Sequence, residues 1–107
     1  MEVKQYDIFW VNLDPTIGSE IRKIRPCVVI SPDEMNSYIK TIVVAPLTTS
    51  SRNYPTRVPV TISGKKGWIV IDQIRTIDKI RLQNKIGSVA SQTAEKIKQV
   101  MKETFVD

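Results

Sequence analysis

Short apolar segments separated by polar connections constrain the fold of this chain most strongly. β-Branched and aromatic residues gather in short runs, and proline, glycine, serine and asparagine collect between them. Such runs are typical of β-strands joined by turns. The runs occupy 6–13, 26–31, 41–48, 56–62, 68–77 and, more weakly, 85–90. Five or six strands of this length predict a mainly β fold, a small, strongly bent antiparallel barrel.

Three of these runs carry further information about the barrel. The run at 26–31 is apolar without alternation, which predicts a strand buried on both faces. Pro59 lies within 56–62, and proline cannot donate a ladder hydrogen bond, so this strand should lie at a sheet edge or carry a bulge. The run at 68–77 predicts the longest strand. Loops or turns are expected at 31–38, 49–55 and 63–67.

The C-terminal part of the chain has a different period. Apolar residues recur there every three or four positions, which predicts an amphipathic helix over 91–105 whose apolar stripe packs on the barrel. Ser91 is the expected N-cap. The stripe consists of Ala94, Ile97, Met101 and Phe105.

Charge is unevenly distributed along the chain. The net charge is +5, and residues 22–85 hold twelve Lys and Arg residues against four acidic ones. A basic middle section favours a polyanionic partner, either nucleic acid or an acidic protein segment. The alternative is a basic surface that serves solubility alone.

Missing residue types exclude several kinds of chemistry. The chain has no histidine and a single cysteine, Cys27, which excludes Ser-His and Cys-His nucleophile pairs, histidine or multi-thiolate zinc sites and an internal disulfide. A carboxylate Mg²⁺ site that uses Asp72 or Asp78 is the alternative that remains, but no spaced carboxylate cluster supports it, so we expect no metal and no cofactor. With no long apolar run and no signal-like N-terminus, one cytoplasmic domain over 1–107 without membrane attachment is expected.

The connection that leads into the strand at 26–31 carries a concentration of charge. Glu20, Arg22, Lys23 and Arg25 directly precede the apolar strand. Because the following proline biases Arg25 to extended geometry, its guanidinium could be held as a rigid phosphate clamp. The alternative is a surface salt bridge with Glu20. The run of hydroxyls at 48–51 similarly suits either a phosphate site or an ordinary turn.

Four blocks of the sequence together resemble the MazF/PemK family of toxins from toxin–antitoxin systems. They are "LDPTIGSEIRKIRPCVVISPD", "VVAPLTT", "YPTRVPV" and "DQIRTIDKIRL". The resemblance implies an SH3-like barrel with a helix, assembled as a homodimer. It further implies a ribosome-independent, metal-independent endoribonuclease that cleaves single-stranded mRNA within short motifs, and an antitoxin partner that binds through an acidic extended segment.

The resemblance also implies catalytic roles. It assigns catalysis to Arg25, in the Arg-Pro step, and to Thr48, at the end of an apolar strand, with Glu20 after Gly-Ser as the uncertain base. The PemK branch has a histidine and an arginine where this chain has Ser19 and Val70, so the MazF branch is the better template.

The resulting chemistry needs only positioning, proton removal and charge stabilisation. The ribose 2′-OH attacks the phosphate and leaves a 2′,3′-cyclic phosphate and a 5′-OH; the general acid is unassigned. Binding of single-stranded RNA needs aromatic side chains for base stacking and a basic groove for the phosphates. Each candidate for RNA binding is equally well an ordinary loop residue. Tyr38 is an alternative to Asn36 for hydrogen bonds to base edges. The candidates are Gly18, Ser19, Arg22, Asn36, Arg52, Tyr54, Arg57 and Gln73.

Two further interpretations compete with this one. A gyrase poison of the CcdB type shares the barrel, but the C-terminus "ETFVD" differs from the Trp-Gly-Ile ending of that group. A non-catalytic RNA-binding barrel is the second alternative. Trp10 and Trp68 are assigned to the core or to a dimer interface rather than to base stacking, and Cys27 to the core.

Overall fold

Seven strands and two helices make up the part of the chain that the structure describes. The computed structural model describes residues 2–14, 18, 20, 23–50 and 53–106. Two short 3₁₀ turns, Ile71–Gln73 and Lys79–Arg81, interrupt the later strands. The elements are β1 (Asp7–Asn12), β2 (Ile24–Val29), α1 (Asp33–Tyr38), β3 (Thr41–Thr48), β4 (Arg57–Ile62), β5 (Lys65–Val70), β6 (Arg75–Asp78), β7 (Leu82–Ser88) and α2 (Ser91–Phe105).

The strands form one curled antiparallel sheet in the order β4-β5-β3-β2-β1-β7, with β6 paired to β3 off this path. The long strand β3 causes the curl, because its two halves have different neighbours. Its first half pairs with β6 from Thr41 to Val44, and its last two residues, Leu47 and Thr48, pair with β5. The predicted fold class, a mainly β curled barrel with a C-terminal helix, is confirmed.

Two hydrophobic clusters lie on opposite faces of the sheet, and β1 and β2 supply both. Phe9 and Cys27 belong to one cluster, whereas Ile8 and Val28 belong to the other, which packs beneath α2. Since successive strand residues point to opposite faces, a strand between two cores is apolar throughout. The predicted burial of the second strand on both faces is confirmed, although β2 begins earlier, at Ile24.

Helix α2 has the predicted bounds, Ser91–Phe105. Ala94 and Ile97 are buried as expected, but the buried stripe continues through Val100. The prediction for Phe105 is wrong, because its side chain is 53% exposed at the last turn. Ser91 is also not the N-cap: the cap position falls on the residue before it, without a side-chain hydrogen bond. No helix in the described ranges is long and apolar enough to span a bilayer.

Two further predictions about elements are wrong. The expected loop at 31–38 contains the short helix α1, which the buried pair Ser31 and Asn36 supports: Ser31 Oγ donates to Asn36 Oδ1 at 2.5 Å. The expected long strand at 68–77 is divided, because the 3₁₀ turn Ile71–Gln73 separates β5 from β6. By contrast, β4 carries Pro59 and lies at the end of the strand order, as predicted for an edge strand.

Candidate active site

A cavity of about 250 Å³ opens among β2, the end of β3 and the hairpin of β4 and β5. One part of its lining is apolar and the other presents hydroxyls and cations. The apolar residues are Trp10, Pro26, Leu47, Val60, Ile62 and Ile86, and the polar and charged ones are Arg25, Thr48, Thr49, Ser63, Lys65 and Lys66, with Gly67 beside them. None of the described residues that line it is acidic.

Arg25 reaches this cavity from a rigid strand. It lies on β2 opposite Val11 of β1, and the residues that follow it, Cys27 to Val29, are fully buried. Burial raises the pKa of the Cys27 thiol to about 12, so this thiol stays protonated at neutral pH and is a poor nucleophile. The strand therefore supplies Arg25 on a paired backbone and no reactive sulfur.

Thr48 lies in the same cavity, at the last position of β3. Its hydroxyl accepts a hydrogen bond from the Ser50 backbone N–H at 3.2 Å and lies 3.3 Å from the Ser50 carbonyl oxygen, which fixes the turn that follows. Gly67 of the adjacent strand approaches closely, because a Cβ at that position would lie 3.0 Å from the Thr48 carbonyl oxygen. The end of β3 is thus held from two sides.

Glu20 and Gln73 line a different hollow, of about 230 Å³, together with Asp72 and Arg75. The structure therefore brings Arg25 and Thr48 together, and brings Glu20 together with Gln73.

A second polar cluster ties the start of β4 to the 3₁₀ turn after β5. Arg57 donates to both Asp72 carboxylate oxygens, at 3.0 and 3.3 Å, and Thr56 donates to one of them at 2.9 Å. Partial burial pushes the pKa of Asp72 upward, but the hydrogen bonds from Arg57 and Thr56 outweigh it and hold that pKa below its ordinary value. Tyr54, 47% exposed, stacks on the Arg57 guanidinium at 5.2 Å.

The other predicted RNA-binding residues have different positions. Asn36 is only 3% exposed, and its amide is hydrogen-bonded to Ser31, so its side chain is structural and does not face a substrate; this corrects the prediction. Gly18 is exposed and has a positive φ of 61°. Ser19, Arg22 and Arg52 lie outside the described residues.

Sequence reasoning missed three cavity residues. Lys65 and Lys66 were assigned to a tight turn at 63–67, yet they begin β5 and line the cavity. Trp10, assigned from the sequence to the core or to a dimer interface, is 41% exposed and lines this cavity. The sequence feature that could have identified these lysines is their position directly after a Ser-Gly turn, since the residues next to a hairpin turn have a fixed position relative to the opposite strand.

Comparison with known proteins places the chain in a family. Residues 4–105 match the family described as PemK-like, MazF-like toxin of type II toxin-antitoxin system. The chain is 33% identical over 107 residues to endoribonuclease EndoA of Bacillus subtilis, covering 94% of this chain and 92% of that protein. It is 37% identical over 93 residues to the endoribonuclease toxin MazF of Escherichia coli K12, covering 86% and 84%.

Solved structures show the same fold. MazF from Deinococcus radiodurans superposes with a TM-score of 0.85 at 21% identity, over 96% of both chains. A mycobacterial endoribonuclease in complex with its cognate antitoxin superposes with a TM-score of 0.81 at 24% identity, over 94% of this chain and 92% of that one. With the family match spanning nearly its whole length, the chain belongs to the PemK-like, MazF-like toxins of type II toxin–antitoxin systems.

Proposed function

We propose that this toxin is an endoribonuclease that cleaves single-stranded mRNA within a short sequence motif, without the ribosome or a metal ion. The observation that carries the proposal is the placement of Arg25 and Thr48 in one cavity. The curated relatives in the comparison are named endoribonucleases. A permanent charge and a hydroxyl on adjacent rigid strands form a suitable cradle for a phosphate.

The proposed reaction uses a nucleophile that the substrate supplies. The ribose 2′-OH attacks the adjacent phosphorus, the bond to the 5′-oxygen breaks, and the products carry a 2′,3′-cyclic phosphate and a 5′-OH. Arg25 contacts the non-bridging oxygens, where negative charge increases in the transition state, and Thr48 donates a hydrogen bond to the same group. Because their backbones are held in paired strands, these two side chains need little rearrangement as the reaction proceeds.

Glu20 is the proposed general base, since it is a carboxylate in the loop that leads into β2. It lines the hollow beside Gln73, so this role requires the substrate ribose to be bound between that hollow and the Arg25 cavity. Glu20→Gln should then lower the rate of cleavage at saturating RNA by about 10²–10⁴-fold. A rate close to that of the wild type would assign the base to another group.

The proposed assembly is a homodimer in the cytoplasm, inhibited by an antitoxin through an acidic extended segment. Structures of related toxins include complexes with a cognate antitoxin. The net charge of +5 is complementary to such a segment.

A digest of RNA in EDTA with mapped cleavage ends tests the proposed function. We expect cuts at one short motif, a 2′,3′-cyclic phosphate on the upstream product and no cleavage when the sugar 5′ of the scissile phosphate is 2′-deoxy. Full dependence on Mg²⁺, or cleavage of the deoxy substrate, would contradict the mechanism. RNA that is bound but never cut would support a non-catalytic binding protein, and poisoned gyrase with intact RNA would support a toxin of the CcdB type.

A further inference from the structure

The hairpin of β4 and β5 holds its side chains in a defined geometry. Two residues, Ser63 and Gly64, connect the strands with φ angles of 51° and 79°. Positive φ at both central positions is the geometry of a two-residue hairpin turn of type I′, whose twist matches that of the strands. The pairing runs without a shift from Ile62 opposite Lys65 to Arg57 opposite Val70. Residues next to the turn are therefore fixed in register.

This register directs Lys65 to the cavity. Lys65 alternates with Gly67 and Ile69 on one face of β5, and Ile69 is fully buried, so that face is turned inward. Lys66 belongs to the other face but also lies at the rim, and both lysines line the same cavity as Arg25.

The lysines have no acidic partner among the described residues. Ion pairs found there join Arg57 to Asp72, Lys85 to Asp7 and Lys98 to Glu95, and none of these uses Lys65 or Lys66. These two lysines thus line a cavity whose described lining residues include no carboxylate. Like charges gathered at a concave site raise the local potential and attract an anion.

We propose that Lys65 and Lys66 bind a backbone phosphate of single-stranded RNA that flanks the phosphate at Arg25, so that this hairpin is one wall of the RNA groove. The proposal rests on the proposed endoribonuclease function and adds to it a phosphate contact outside the reacting group. RNA is favoured over an acidic peptide because the same cavity exposes Trp10 beside Val60, Ile62 and Ile86, and an aromatic platform next to cations suits successive bases and phosphates.

Binding measured over a range of salt concentrations tests the assignment. The probe is an oligoribonucleotide containing the mapped cleavage motif, with a 2′-O-methyl sugar at the cut site to prevent cleavage. Each lost phosphate contact should make the slope of log K against log salt less steep by about 0.7, which is roughly fivefold in affinity at 0.1 M salt. Lys65→Ala/Lys66→Ala should therefore bind about 25-fold more weakly with a slope less steep by about 1.4.

The control is Lys96→Ala/Lys102→Ala, which makes the same charge change on the exposed side of α2. This helix control should leave the slope nearly unchanged. The charge-conserving variant Lys65→Arg/Lys66→Arg should retain the wild-type slope. Melting temperatures should confirm that all variants fold. At saturating cleavable RNA the helix control should also keep the wild-type turnover rate, because neither of its lysines lines the cavity.

A hairpin variant whose slope changes no more than that of the helix control would overturn the assignment, even if the variant bound an acidic antitoxin segment more weakly. Wild-type protein that binds an oligoribonucleotide but cuts no RNA, so that no motif can be mapped, would instead contradict the proposed function. The slope comparison, made with that oligoribonucleotide, would still decide the role of the hairpin.

Discussion

Arg25 combines a permanent charge with a backbone that cannot easily move. Its strand is paired on both sides, to β1 and β3, and the next residue is a proline that restricts it further. A guanidinium held in this way does not need to be ordered when the substrate arrives, which is the condition under which a charge contributes most to a transition state.

We expect Arg25→Ala to lower the rate of RNA cleavage by about 10²–10³-fold, because it removes a preorganised donor to the phosphate. Arg25→Lys should fail similarly, since an ammonium cannot make the bidentate contact. Single-turnover cleavage at saturating enzyme measures the chemical step, and thermal melting should show a shift of no more than a few degrees. A rate for Arg25→Ala within about threefold of wild type would remove Arg25 from the active site.

Gly67 lies against the end of β3, where Thr48, the proposed catalytic threonine, is located. A Cβ there would lie 3.0 Å from the Thr48 carbonyl oxygen, whereas a Cβ at Gly87 would meet nothing within 4 Å. Gly67→Ala should displace the end of β3 by a few tenths of an ångström and slow cleavage by about 3- to 10-fold, because small misplacements of catalytic groups are costly. Gly87→Ala is the matched control and should cleave RNA at the wild-type rate; equal rates for the two variants would contradict the positioning role.

At the scale of elements, the contact between Arg57 and Asp72 joins the edge strand β4 to the 3₁₀ turn that follows β5. Such a contact stabilises the fold only while the carboxylate is charged. Because the pKa of Asp72 is lowered in the folded state, its contribution is fully present above the unfolded value of about 3.9 and is lost as the pH falls through the folded value.

Asp72→Asn should therefore lower the free energy of unfolding by about 1 kcal/mol at pH 7, since it leaves the half-buried Arg57 without its anion. The difference from wild type should shrink as the pH falls below about 4. Urea unfolding at pH 7 and pH 3 measures both values. Glu95→Gln, in an exposed ion pair on α2, is the control and should change stability by less than about 0.5 kcal/mol. A deficit for Asp72→Asn that is equal at both pH values would contradict this role.

The same cluster explains why one element could not be predicted from the sequence. The run 68–77 opens with four apolar residues, of which Val70 and Ile71 are adjacent and both buried, and the polar pair Asp72-Gln73 is its one local sign of an interruption. The interruption follows from the tertiary partner of Asp72. Helix α1 was missed for a related reason, since its turn-forming residues are stabilised by the contact of Asn36 with Ser31. Strand β3 and helix α2, whose patterns are long and regular, were predicted with their observed bounds.

The candidate site was predictable only in part. Arg25 and Thr48 were assigned by the family resemblance, and the curl of the sheet explains how residues distant in sequence reach one cavity. The hairpin lysines were missed because turn residues were expected to be solvated. Their position depends on the register between β4 and β5, which short-range sequence patterns do not specify.

At the scale of the whole molecule, the sheet with its two cores leaves one apolar area uncovered. Trp10 and Ile24 are 41% and 48% exposed, and both lie on the same face of the β1–β2 pair, since Trp10 pairs with Pro26. Exposed apolar residues beside a candidate site are typical of an interface. A C₂ homodimer that covers Ile24 and leaves Trp10 at the edge of the interface, open to the cavity, would place two cavities next to the symmetry axis.

We expect light scattering at micromolar concentration to give about twice 12.2 kDa. If two protomers form the RNA groove together, cleavage per protomer should fall on dilution in parallel with the dimer fraction, because a monomer offers only one wall. Ile24→Glu should shift the protein toward the monomer by burying a charge in the interface. Ile80→Glu, at a residue that is 88% exposed and does not line the cavity, should remain dimeric. A strict monomer that cleaves RNA at full rate would contradict both the assembly and the shared groove.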